Sequence, residues 1–219
     1  MLEETKLTNL KKELLEYATL VEGMVGKSIS GLQEHKDELL TEVIGSDEPR
    51  ANSFEVDLDE RCVTIIAQHQ PTGKALRTII MILHINSTLE RIGDHAVTIS
   101  ESALFLTERP MVKPLIDIPR MADLVKSMIA DSINSFIHED PGLARSVCER
   151  DNVVDGLRDQ ILRELITYMT ADPSVIERAL QLMKIASNLE RIADLTTNIC
   201  EDVIYMVKGK VIKHHKDET

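Results

Sequence analysis

The 219-residue sequence contains no tryptophan, and aromatic residues make up only 3 % of it. A core without large rings must be filled by Leu, Ile, Val, Ala and the nine Met, a set that favours helices over strands. Nine glycines and seven prolines supply too little turn chemistry for a many-stranded β fold. Basic charge is short as well: 25 Lys and Arg stand against 37 Asp and Glu, leaving a net charge of −12. That balance argues against nucleic acid, which needs a basic face to displace counterions, and against adhesion to an anionic lipid leaflet. Long apolar runs are missing too. The longest, residues 79–83, is far below the ~20 residues that span a bilayer, and the amino terminus lacks the basic-then-apolar order of a signal peptide. Cys62, Cys148 and Cys200 are odd in number and form no CxxC pair, which predicts small buried thiols in a reducing cytosol. These absences predict a soluble, cytoplasmic, all-α protein.

The punctuation that is present divides the chain into six helical segments. The first covers residues 6–43, with Leu7, Leu10, Leu14, Tyr17 and Val21 at helical spacing. Gly45-Ser46-Asp47 predicts a break before a second helix over 48–68, and Pro71 with Gly73 predicts the turn into a third over 74–106. Pro110, Pro114 and Pro119 make 108–120 the one convincing linker. Beyond it the plan recurs: a helix from 120, a cap at Asp140-Pro141, a helix over 143–169, a second Asp-Pro cap at Asp172-Pro173, and a last helix over 174–207. Gly209 reads as a stop, followed by a charged tail that includes His214 and His215.

The two halves are also alike in their residues. Laid 100 positions apart, residues 85–101 and 185–201 match at nine of seventeen positions without a gap, including Leu-Glu-Arg-Ile at 89–92 and 189–192. The chain is therefore a duplication of a three-helix unit, with repeats over 1–108 and 120–212.

The acids are organised by that duplication. Ile85, Leu89, Ile92, Ala96, Ile99 and Ala103 form the packing stripe of the third helix. Glu90, Asp94 and Glu101 project on the opposite side, near enough in pairs for carboxylates to share one ion. The sixth helix repeats them as Glu190, Asp194 and Glu201, although the polar neighbours change: Asn86 to Ala186, Thr88 to Asn188, His95 to Leu195 and Thr98 to Asn198. Like charges four residues apart destabilise a helix unless something uses them. Partner stripes lie on the middle helices, Asp151, Asp155 and Asp159 in the second half and Glu48, Asn52, Glu55 and Asp59 in the first. If middle and last helices run antiparallel, these stripes face each other as a hard-oxygen site for Mg, Mn, Ca or oxidised iron. Zinc would need waters or His95 to complete its shell. Arg91 and Arg191, beside the acids, read as interhelix ion-pair partners, with anion attraction as the functional alternative.

Enzyme signatures are missing. Gly23-Met-Val-Gly-Lys-Ser28 resembles the end of a phosphate loop, but Val21 stands where the first glycine is required and the segment continues a helix. There is no HExxH, no ExxH, no GxSxG and no GxGxxG. The residues name no catalytic nucleophile.

Leu89-Glu-Arg-Ile-Gly-Asp-His-Ala96, Leu189-Glu-Arg-Ile-Ala-Asp194 and Asn198-Ile-Cys-Glu-Asp-Val-Ile-Tyr205, with Asp57-Leu-Asp-Glu-Arg-Cys62, Gln70-Pro71 and Asp172-Pro173, closely resemble the PhoU family over essentially the whole chain. The resemblance implies a tandem, pseudo-symmetric pair of three-helix bundles, a homodimer, and E(D)xxxD motifs that bind metal clusters. Those motifs fall on Glu90/Asp94, Glu190/Asp194 and Asp151/Asp155, and in degraded form on Glu48/Asn52. Iron is the first metal the resemblance implies, with zinc or magnesium as alternatives. It further implies a negative regulator of phosphate uptake and phosphate-starvation signalling, an adaptor between the phosphate ABC transporter and a sensor histidine kinase that reaches the membrane only through protein partners. The alternative reading is a metalloenzyme or metal-storage protein using the same carboxylates on phosphate compounds; metal-dependent turnover of phosphoesters would favour it.

Overall fold

The computed structural model describes residues 2–208, and every regular element among them is helical. The long helices are α1 (Leu2–Glu34), α3 (Glu48–His69), α4 (Gly73–Thr107), α5 (Asp117–His138), α6 (Pro141–Ala171) and α7 (Ile176–Lys208), with a short α2 (Asp37–Glu42) between α1 and α3. Helices α1, α3 and α4 pack as one bundle and α5, α6 and α7 as another. The bundles meet where α4 crosses α7 and α1 crosses α5. Each of these contacts joins a helix to its own counterpart in the other repeat, as a pseudo-twofold axis requires. The expected all-α, three-plus-three architecture is what the chain adopts.

The packing stripes explain the arrangement. All six residues of the α4 stripe are buried, as are Ile185, Leu189, Ile192 and Ile199 on α7. The core is aliphatic, with Tyr17 and Phe136 as its large rings. Asp140 caps α6 through the backbone N–H groups of Gly142 and Leu143 at 2.8 and 3.1 Å. Asp172 accepts from the Ser174 N–H at 2.9 Å, but it opens a single 3-10 turn, Pro173–Val175, before α7 begins. The linker is pinned rather than free: Lys113 is buried and paired with Glu164, and Arg178 donates to the Pro110 carbonyl at 2.7 Å.

The expected helix boundaries differ in three places. The first helix does not run through to 43. It stops at Glu34, because His35 adopts a left-handed φ of 52° and the chain folds back as α2. Gly31 permits that return: a Cβ there would lie 2.6 Å from Leu40 Cδ2. The break expected at Gly45-Ser46-Asp47 is absent. A wide helical turn, Val43–Asp47, runs directly into α3. Lys27 holds this turn with 2.7 Å ion pairs to both Glu42 and the buried Asp47. Helix α5 starts at Asp117 rather than 120, since Pro119 in its first turn costs no backbone bond. Gly209 and the tail with His214 and His215 lie outside the described residues.

Candidate metal-binding faces

The equivalence of the two middle helices is set by burial. When Ala51, Leu58 and Cys62 of α3 are laid over Val154, Ile161 and Leu165 of α6, all six are core residues. In this register Glu48 falls on Asp151, Asn52 on Asp155 and Glu55 on Arg158. The first helices match likewise, with Leu14, Tyr17, Val21 and Ser28 over Ile118, Met121, Val125 and Ser132, again all buried.

In the first half the structure brings together Glu90 and Asp94 of α4 and Glu55 of α3. Burial first, and then the charges of Asp94 and Glu55, push the Glu90 carboxyl above its ordinary range. Glu90 and Asp94 stand close enough to hydrogen-bond when one is protonated. Tyr17 of α1 is fully buried and stacked on Phe54 with ring centroids 5.5 Å apart. Its hydroxyl has no hydrogen-bond partner. Burial, and behind it the charges of Glu55, Glu90 and Asp94, hold that phenol firmly protonated. Glu48 and Asn52 are joined to each other, the Asn52 amide donating to Glu48 Oε1 at 2.7 Å. Glu101 is exposed two turns beyond Asp94 on α4.

In the second half Glu190 and Asp194 of α7 meet Asp155 of α6. Burial raises both Glu190 and Asp194, with Asp194 adding to Glu190 and Asp155 to each. Here a cation is already in place. Arg158 donates from Nη1 to Glu190 Oε1 at 2.6 Å, and from Nη2 and Nε to Asp159 Oδ1 at 2.8 and 3.1 Å. The ion pair expected of Arg191 is thus made to Glu190 by Arg158, while Arg91 and Arg191 are exposed and lower Glu90 and Glu190 only through space. Asp151 lies further along α6, where its charge and that of Glu201 bear on Cys148.

His95 does not join the acidic face. It points across the bundle interface, where Nδ1 hydrogen-bonds Asn188 Oδ1 at 2.8 Å, and burial lowers its pKa. The changes His95 to Leu195 and Thr88 to Asn188 therefore belong to the contact between repeats, not to the metal ligands. The cysteines are free thiols as expected, Cys62 and Cys200 buried and Cys148 half-buried. In addition Cys148 and Cys200, far apart in sequence, meet between α6 and α7, and their mutual hydrogen bond lowers Cys148 and raises Cys200. Among the described residues, no group of three or more Asp, Glu, His or Cys side chains is placed to hold a metal ion. Both faces are open arrays of hard oxygen donors.

Each half is matched by the family model of the PhoU domain, over residues 14–103 and 118–203. The chain belongs to the PhoU family. It is similar to the phosphate-specific transport system accessory protein PhoU homolog of Aquifex aeolicus, at 42 % identity over 95 % of this chain and 94 % of that one. The crystal structure of PhoU from Pseudomonas aeruginosa superposes with a TM-score of 0.89 at 34 % identity, covering 94 % of this chain and 99 % of that one. That of the phosphate transport system regulatory protein PhoU from Streptococcus pneumoniae gives 0.88 at 26 % identity, covering 96 % and 99 %. Among the described residues no helix is long and apolar enough to cross a membrane.

Proposed function

We propose that this PhoU protein is a cytoplasmic accessory and negative regulator of phosphate-specific transport, an adaptor that works as a homodimer between the phosphate ABC transporter and its sensor histidine kinase and holds metal ions on its two acidic faces. The observation that carries the role is the match of both repeats, end to end, to proteins named for that transport system. The acidic surface supports recruitment through protein partners rather than lipid. Glu90 and Asp94 with Glu55, and Glu190 and Asp194 with Asp155, are the core of the two faces, with Glu48, Asn52, Asp151, Glu101 and Glu201 at their margins. Their oxygen donors suit a hard cation such as magnesium, manganese, calcium or oxidised iron; family membership puts iron first, with zinc or magnesium as alternatives. Desolvated carboxylates that repel one another, and at the first face a buried hydroxyl lacking a partner, are the features a bound cation and its waters would satisfy.

The test is co-purification of transporter and kinase with the wild-type chain and with Glu90→Ala/Asp94→Ala, alongside metal analysis. Wild type is expected to retain both partners and metal, and the double variant to lose metal at one face while remaining folded. Retention of neither partner by wild type would overturn the adaptor reading. Unfolding of the double variant would show these acids to be structural.

A further inference from the structure

We propose that the two faces take up cations in a fixed order, the first half tightly and the second only when Arg158 gives way, so that Arg158 is a built-in competitor for the second site. This rests on the metal-binding reading above and specifies how the two sites differ.

The argument starts from equivalence. Glu90 and Asp94 match Glu190 and Asp194, and Arg91 and Arg191 flank both pairs alike, so their effects cancel in the comparison. The difference comes from the middle helices, where Glu55 occupies the position of Arg158. The first face therefore gathers three carboxylates with the added charge negative. The second has a guanidinium 2.6 Å from Glu190, anchored from behind by Asp159. A guanidinium stays charged at any working pH, so this cation does not leave by deprotonation. A hard ion entering at Glu190, Asp194 and Asp155 must break a charge-assisted hydrogen bond and tolerate a fixed positive neighbour.

A second feature singles out the first face. Tyr17 is 0 % exposed and its hydroxyl lacks any partner, while the acids whose charge reaches it are Glu55, Glu90 and Asp94. Buried polar groups are normally satisfied, and an ion-bound water, which donates to the phenol oxygen, or another ligand at this face supplies the missing partner. Met121, at the equivalent position of the second half, asks for nothing.

The experiment is a titration of the metal-stripped full-length protein with Mn²⁺, reading free ion from the aqueous EPR signal. Wild type is expected to show a tight and a weak class. Glu90→Gln should remove the tight class and spare the weak one. Arg158→Gln should leave the tight class alone and strengthen the weak one about tenfold, the scale of one hydrogen bond to a charged group, whereas Arg158→Lys, which keeps the charge, should not. Circular dichroism establishes that each variant is folded. A weak class unmoved by Arg158→Gln, or one removed by Glu90→Gln, overturns the proposal while leaving metal binding intact. Absence of Mn²⁺ binding in wild type and Arg158→Gln alike overturns the metal reading itself.

Discussion

The two repeats bury the same face and expose different chemistry. Residues 85–101 and 185–201 share their core stripe and their acids, yet one acidic face is completed by Glu55 and the other by Arg158. Duplication preserved what packs and allowed one position of the acidic face to change sign. Opposite charges, Glu55 and Arg158, stand at one equivalent position of the same scaffold.

The largest effect should test the shared part of the comparison. Leu89 and Leu189 are both fully buried, so Leu89→Ala and Leu189→Ala should each cost about 3 kcal/mol in chemical denaturation. Costs differing by a factor of two would mean that the repeats are not packed alike. Next comes a feature of the first half alone. Gly31→Val drives side-chain atoms into the fully buried Leu40 and should cost about 2 kcal/mol by overpacking. The structurally equivalent Ser135 already carries a side chain, so Ser135→Ala should cost about 1 kcal/mol, one hydrogen bond. A neutral Gly31→Val would show that α2 is not held against α1.

The smallest effect lies between the repeats and depends on pH. Burial lowers the His95 pKa in the folded state, so the unfolded chain binds the proton more readily. The stability His95 contributes is therefore complete above its unfolded pKa of about 6.5 and is lost as pH falls toward the folded value. The His95→Leu variant, which copies Leu195, should lose that part of the acid slope in melts between about pH 7 and pH 5. An unchanged slope would assign the acid response to other groups.

Much of this was legible before any coordinates. The apolar stripe and the repeated Leu-Glu-Arg-Ile reveal six helices and the acids on α4 and α7, because periodicity and duplication are local in sequence. Helix ends were less legible. Gly45 looks like a breaker but is carried through by Lys27, fifteen and twenty positions from its partners Glu42 and Asp47, while His35 gives no advance sign of its left-handed backbone. The charge contrast between the faces was hidden by register. At a spacing of 100, Glu55 falls on Asp155 and the halves look alike. From middle to last helix the second repeat is three residues shorter, with Arg158 and Glu190 32 apart where Glu55 and Glu90 are 35 apart, and packing sets Glu55 over Arg158. Tyr17 was visible only as an apolar residue, since its unsatisfied hydroxyl arises from the meeting of three helices.

The scarcity of aromatic residues gives Tyr17 one more consequence. With no tryptophan and three tyrosines in the chain, near-ultraviolet optical activity must come mainly from the ring held rigidly. Tyr17 is fully enclosed against Phe54, whereas Tyr168 and Tyr205 are 37 % and 53 % exposed. The first repeat thus contains its own chromophore beside its acids, and the second is optically silent at the corresponding place. Occupancy of one face should be readable in the unlabelled protein by the colourless signal of a single phenol.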